Sequence, residues 1–318
     1  MRKACLVAAA AVLVTATVDA EEGGSGHYFP GSMASFVDGV PAEPTFIARL
    51  NVVNYSGSFD GDVAVPIAGQ AALGVDVDST AVGLTLLWAP ELDLGERWSF
   101  ATAATVPFID LEVSADVAAP QDPMDRTVRR TDSVSGLGDI MILPVMLNYN
   151  ASAELNYNFR IGLYAPTGDY QQGALANEGK NFWSVEPTVA MMYLNPKTGR
   201  EFSAFLGSTF NEQNSATEYK SGTQLHFEAT AAQHFPLAGG LASAGLTGFW
   251  YHQVTGDSGD GATFGDFKAR STGIGPVLSY ASKVSGKDLI AEFKWLHEFD
   301  VERRPEGDTL FLKVVLKI

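Results

Sequence analysis

LNYNFRIGLY, residues 155–164, is the stretch whose reading decides the fold. Leu155, Tyr157, Phe159, Ile161 and Leu163 fall on one face of an extended strand, and Asn156, Asn158, Arg160, Gly162 and Tyr164 fall on the other. One face suits hydrocarbon and the other water, so such a strand separates two media. Leu225, Phe227, Ala229 and Ala231 likewise oppose Gln224, His226, Glu228 and Thr230. Trp183, Val185, Val189, Met191 and Tyr193 oppose Ser184, Glu186, Thr188 and Ala190, with Pro187 as a local break. Less regular alternation over 45–56, 80–89, 98–109, 137–149, 201–211, 241–252, 267–281, 288–299 and 309–318 brings the expected number of strands to twelve.

A soluble sandwich also shows period two, so the connections decide. Short ones near 90–97, 150–154, 194–200, 236–240 and 282–287 alternate with long ones near 57–79, 110–136, 165–182, 212–222, 253–266 and 300–308. Strands of about ten residues, an even count, and tight turns at one rim with long loops at the other predict an all-β fold: a transmembrane antiparallel up-and-down β-barrel of about 12 strands, spanning 45–318. The short turns then face the periplasm, as do both chain ends. Trp88, Trp98, Trp183, Tyr149, Tyr193 and Tyr280 lie near strand ends, where interfacial aromatic girdles form. The last strand sets Leu310, Leu312, Val314, Leu316 and Ile318 against Phe311, Lys313, Val315 and Lys317. Many outer-membrane barrels close with such a strand ending in an aromatic residue, a signal for the barrel-assembly machinery; here Ile318 stands in that place.

The N-terminus predicts the compartment. Arg2 and Lys3 precede an apolar run from Ala4 to Val14, and Val18-Asp19-Ala20 forms a cleavage site, so residues 1–20 read as a signal peptide for Sec-type export to a Gram-negative outer membrane. The run is too short to span a bilayer as a helix. Cys5, the single cysteine, leaves with the signal, so no thiol or disulfide chemistry is expected in the mature chain. Cleavage makes the formal charge one unit more negative than the −16 of the whole chain. So acidic a chain is a poor nucleic-acid binder.

Three segments resemble a known family: Ser135-Gly136-Leu137-Gly138-Asp139-Ile140; Ala165-Pro166-Thr167-Gly168-Asp169-Tyr170; and Phe210-Asn211-Glu212-Gln213-Asn214 with Thr217, Tyr219, Ser221, Gly222 and His226. Gly26, Tyr28, Pro30 and Gly31 fit the same pattern. Together they resemble the outer-membrane proteins named for the meta-pathway of phenol degradation, across nearly the whole mature chain. The resemblance implies a transporter of aromatic or other apolar compounds, somewhat like fatty-acid uptake channels.

A twelve-stranded barrel lies between small, side-chain-filled barrels and open 16-stranded porins. Residues 21–44, Gly-rich and aperiodic, carry Tyr28, Phe29, Pro30 and Phe36 as candidates for a partial plug; a disordered periplasmic leader is the alternative. The strand phases turn Arg49, Asn156, Asn158, Arg160, Glu186, His226, Glu228, Glu292, Lys294 and Glu298 inward. Such residues either line a passage or pair across the lumen. No catalytic residue is assigned: His226 and Glu228 share a face near Ser203 and Thr209, but there is no G-x-S-x-G elbow, and His226 reads as a hydrogen-bonded wall residue. His252 and His297 show no acidic or seryl partner at suggestive spacing. No metal-ligand spacing and no cofactor are expected. Asp60, Asp62, Asp76, Asp78, Asp116, Asp122, Asp125, Asp132, Asp257 and Asp260 make an acidic rim that is either solvated or bridged by divalent cations to lipopolysaccharide. Arg126, Arg129 and Arg130 can meet lipid phosphates there. The expected partners are outer-membrane lipid, lipopolysaccharide and a small apolar or aromatic substrate, and the expected function is passive uptake. The alternative is a non-transporting structural or surface-binding barrel.

Overall fold

The computed structural model describes residues 26–33, 35–59, 65–68, 70–118, 127–262 and 268–318. The expected signal peptide, 1–20, lies outside them. The strands are β1 (Thr45–Phe59), β2 (Val65–Ile67), β3 (Gln70–Ala89), β4 (Trp98–Ala118), β5 (Thr127–Leu137), β6 (Ile140–Asn150), β7 (Leu155–Ala165), β8 (Ser184–Leu194), β9 (Arg200–Asn211), β10 (Gln224–Leu237), β11 (Gly240–Gln253), β12 (Arg270–Val284), β13 (Lys287–Glu302) and β14 (Glu306–Lys317). Twelve of them close an antiparallel ring in which β2 and β5 are additions at the rim. First and last strands complete it, from Ile47 opposite Lys317 to Ser58 opposite Glu306. Closure leaves the ring without an edge, which a sheet in hydrocarbon requires because no water is there to satisfy free N–H and C=O groups. The barrel is that of a bacterial outer-membrane protein.

The short rim is built from tight turns. β10–β11 and β12–β13 turn on Ala238-Gly239 and Ser285-Gly286, pairs in which both residues have positive φ. That is the backbone of a two-residue hairpin turn whose twist matches the strands it joins. Pro187 interrupts the bonding of β8 to β9 without shifting the register, since Val185 still faces Phe210 and Thr188 still faces Gly207.

The deciding stretch behaves as its alternation predicts. In β7, Tyr157 and Phe159 are exposed on the outer wall, while Asn158, Arg160 and Tyr164 are buried inside. Leu246, in the middle of β11, is 60% exposed, and Leu84, Leu86, Val106 and Phe108 extend the apolar outer belt. Trp98 and Tyr149 touch across β4–β6 at the short-turn end, with ring centroids 4.9 Å apart, as a girdle pair would.

Two expected loops are instead strand. β3 begins ten residues before the predicted 80, and β4 runs to Ala118 and pairs with β5, so much of 57–79 and 110–136 is sheet. The cause is an inversion of pattern. On β4 the outward residues are apolar as far as Phe108, then become Asp110, Glu112 and Asp116, while the inward ones become Ile109, Leu111 and Val113. On β3, Asp76 and Asp78 face out, with Val75 and Val77 behind them. The sheet has left the hydrocarbon at this height, so its outer face meets water and its inner face forms an apolar cluster with Ile67, Leu175 and Ala176. The acids are correspondingly paired: Arg129 bridges Asp76 and Asp116, and Arg130 binds Asp132 at 2.7 Å. These arginines, expected to meet lipid phosphates, are engaged within the protein. Asp60, Asp62, Asp122, Asp125 and Arg126 lie outside the described residues.

The boundary between Phe108 and Asp110 is testable. Leu246→Arg is expected to destabilise the barrel by about 2–4 kcal/mol and Asp110→Arg by under about 1 kcal/mol, measured by denaturant unfolding from lipid vesicles.

Candidate functional site in the barrel lumen

Residues 26–33 and 35–40 run along the inside of the barrel, from the long-loop end to the short-turn end, held at intervals by inward side chains. At the long-loop end His27 stands between Asp139 (Nε2 to Oδ2, 2.9 Å) and Ser184 (Nδ1 to Oγ, 2.7 Å), stacked on Tyr164. Tyr28 lies flat on His226 with centroids 3.6 Å apart and donates to Glu228 at 2.5 Å. Lower down, Lys294 donates to the carbonyls of Gly31 and Met33, and the Met33 amide donates to Glu228. The Phe36 amide donates to Glu201, which also binds His234.

A one-turn 3-10 helix, Phe36–Asp38, is capped by Ser35 and presents Asp38 to three cations. Lys313 reaches both carboxylate oxygens at 2.7 Å, Arg49 reaches one at 2.7 Å, and Arg160 donates to the Asp38 carbonyl at 2.8 Å. Burial alone would raise the pKa of Asp38; the adjacent Lys313 and Arg49 overcome it and bring the value down from 3.8 to about 2. Beneath, Val40 packs with Leu87, Ala89, Ala101 and Met146 near the short turns.

The backbone thus enters β1 at the short-turn end, as expected, but the described start of the chain, Gly26 to Tyr28, is at the opposite rim. The common rim expected for the two chain ends holds for the start of β1 and the end of β14 and not for the residues ahead of Val40.

Beside the segment is a cavity of about 480 Å³. One side is Val53, Val77, Ile109, Leu111 and Met141; the floor is Asp38, Arg49, Arg160 and Lys313; Phe29 borders it from the segment. Burial on this scale suits a one- or two-ring molecule.

The family motifs converge at the loop end. Asp139 accepts from the backbone amides of Thr167 and Gly168 through one oxygen and from that of Lys180 through the other, besides binding His27. This ties the 166–183 loop over the gap between β5 and β7. Gly168 sits so close to Gly179 that a Cβ on it would lie 2.7 Å from the Gly179 Cα. Asn211 accepts from Ser184 and donates to the Gly222 carbonyl, whose amide donates to Asp257. Asn214 accepts from Asn181. Motifs far apart in sequence therefore form one collar.

Of the predicted lining residues, Arg49, Arg160 and Glu186 border the cavity. His226, Glu228 and Lys294 lie under the segment on the opposite wall, and Glu292 stands 3.8 Å from Lys313. Asn158 accepts from Arg160, and Asn156 is half-buried near the short turns. Glu298 holds Tyr55, Ser271 and Arg304. His226 is a wall residue, but stacking replaces the expected hydrogen bond: neither ring nitrogen has a hydrogen-bond partner among the described residues, Glu186 stands 3.6 Å from its Nε2, and Ser203 donates to Glu201 instead. His297 does have an acid beside it, Asp308 at 3.1 Å across β13–β14. Tyr28 and Pro30 are buried in the segment and Phe36 is half-buried, edge-on to His234. Sequence reasoning missed His27, Asp38, Asp139, Glu201, His234 and Lys313 as members of this network. Only position marks His27, which immediately precedes Tyr28 in the family pattern.

The family model described as "Putative MetA-pathway of phenol degradation" matches residues 60–314. The chain belongs to this family. Among solved structures, the COG4313 outer membrane channel from Pseudomonas putida F1 has the same fold, with a TM-score of 0.65 and 17% identity over 92% of this chain and 100% of that one. The CymD monoaromatic hydrocarbon channel (TM-score 0.45, 8% identity, 90% and 94% covered) and a Pseudomonas aeruginosa FadL homologue (0.40, 8%, 86% and 89%) are more distant. No curated protein matches in sequence. In this member of the phenol-degradation family, the motif glycines and acids serve the collar around the lumen.

Two measurements follow. Asp139→Ala removes the acceptor of three amides and His27; charge-assisted bonds are worth about 1.5–3 kcal/mol each, though not additively. Amide exchange at Thr167, Gly168 and Lys180 is expected to rise by at least about tenfold, with β10–β12 unaffected. Because the docked segment favours ionised Asp38, its attachment is at full strength above pH 4 and weakens as pH falls through about 2. Channel opening in planar bilayers is expected to increase below about pH 3, and Asp38→Asn should abolish that component.

Proposed function

We propose that this protein is an outer-membrane channel for passive uptake of small apolar or aromatic compounds, exported by residues 1–20, with residues 21–44 as the plug of its barrel, 45–318. The observation that carries the reading is the cavity beside the segment. Its side is aliphatic, from Val53, Val77, Ile109 and Leu111, and it adjoins the apolar cluster of the extended β3–β4 sheet outside the hydrocarbon. An aqueous porin lumen would be lined with polar groups throughout. A wall of this kind takes an apolar solute from water and offers it no incentive to bring its hydration shell. The family description, which names phenol degradation, supports an aromatic cargo.

Closure of the lumen by the segment and by ion pairs such as Lys313 with Asp38 favours the second reading, a barrel that transports nothing. The two separate on deletion of 21–40, which leaves the signal and all strands in place. A plugged channel should gain large, steady single-channel conductance and faster liposome swelling with neutral aromatic solutes; unchanged conductance and no swelling in either form would favour the non-transporting barrel.

A further inference from the structure

The floor of the cavity holds more cations than a path for neutral solutes requires. Arg49, Arg160 and Lys313 meet there, and each reaches the segment, Lys313 and Arg49 through the Asp38 carboxylate and Arg160 through its carbonyl, while on the wall Arg160 also donates to Asn158 and Lys313 stands 3.8 Å from Glu292. Asp38 is 2% exposed and Lys313 3%. Buried charges this close need a partner, and a neutral aromatic molecule has no oxygen pair to offer them.

We infer that Arg49, Arg160 and Lys313 form a binding site for the carboxylate of an amphipathic monoacid whose aromatic or aliphatic tail lies along Val53, Val77 and Ile109, and that Asp38 occupies this site in the ligand's place. The inference rests on the reading of the lumen as a passage. The geometry suits exchange. A ligand carboxylate supplies the same two acceptor oxygens to Lys313 and Arg49, so removing Asp38 leaves neither cation bare. The apolar side runs from that floor toward the long-loop end, which orients an incoming acid with its charge foremost. Glu292, 3.8 Å from Lys313, has no hydrogen-bond partner on either oxygen among the described residues. Its negative charge offsets part of the cationic floor and favours one bound carboxylate over a dianion. A neutral ligand fills only the side of the cavity and leaves the Asp38 contacts intact, so acids and neutral solutes differ in whether they free the segment.

The test uses the full mature protein in detergent, titrated calorimetrically with 3-phenylpropionate and with its neutral counterpart 3-phenylpropan-1-ol. The acid is expected to bind roughly tenfold tighter than the alcohol, the scale of a charge-assisted pair. Lys313→Gln and Arg49→Gln should each cut that acid-to-alcohol preference to under about threefold, and Asp38→Asn, which removes the internal competitor, should tighten the acid more than the alcohol. Equal binding of acid and alcohol, no binding of the acid, a preference that survives both cation variants, or weaker acid binding in Asp38→Asn would each overturn the inference. Should a cation variant fail to fold, as judged by heat-modifiable gel mobility, the acid-to-alcohol ratio in wild type and Asp38→Asn decides. Swelling of liposomes with the alcohol separates the two readings: flux of the alcohol without acid preference sinks this site alone, whereas absence of flux for both solutes, also after deletion of 21–40, sinks the channel.

Discussion

The β1–β14 ladder is the interaction on which the rest depends. In hydrocarbon every unpaired backbone N–H or C=O is costly, so a sheet survives there only when its last strand bonds its first. Twelve registered pairs, from Ile47 with Lys317 to Ser58 with Glu306, meet that demand. Closure then sets the inner surface. Every second side chain must look inward, and those include Arg49, Arg160, Glu186, Glu228, Glu292, Lys294 and Lys313, because charge on the outer face would face lipid. A ring of twelve strands is too wide for these side chains to meet one another everywhere. Residues 26–33 and 35–40 occupy part of the gap, and their carbonyls, amides and one carboxylate answer the wall's charges.

Period two made the barrel legible. In β7 and β10 the outer residues are apolar and the inner ones largely polar, and the phase assigned to Asn158, Arg160, His226 and Glu228 follows from that alone. The same rule hid the strand extensions. Over 70–79 and 110–118 the alternation is intact but reversed, with Asp76, Asp78, Asp110 and Glu112 outside and Val75, Val77, Ile109 and Leu111 inside. A search for a lipid-compatible face rejects such a stretch, although a two-sided sheet standing in water with a covered inner face requires it. Strand ends were therefore set by the solvent and not by the ladder.

The luminal network was beyond sequence reading for a different reason. An aperiodic segment is fixed by point contacts at long separation: His27 to Asp139 spans 112 residues, and Asp38 to Lys313 spans 275. Neither partner advertises the other. Asp38 is an ordinary acid after a small aromatic turn, and Lys313 is one of two lysines on the inward face of the last strand. The family motifs pointed to the right region without stating its physics. Asp139 matters because three amides and an imidazole converge on it, and Gly168 because Gly179 leaves no room for a side chain.

The two ends of the segment are held by unlike forces, and this shapes what the lumen can do. At the loop end, His27 and Tyr28 are held by ring stacking on Tyr164 and His226 together with hydrogen bonds to Asp139 and Glu228, in a collar that the 166–183 loop completes. Near the short turns the hold is mainly ionic, from Lys313 and Arg49 on Asp38, above the apolar floor of Val40, Leu87 and Met146. Packing contacts are lost gradually as groups separate, whereas a buried ion pair is lost when one partner is removed or replaced, and the charge left behind is then costly. The Asp38 end is therefore the one whose hold depends on charge, while the collar holds the other end by stacking and hydrogen bonds. The difference in hold lies within the segment alone, since the barrel wall and its closing ladder depend on neither set of contacts.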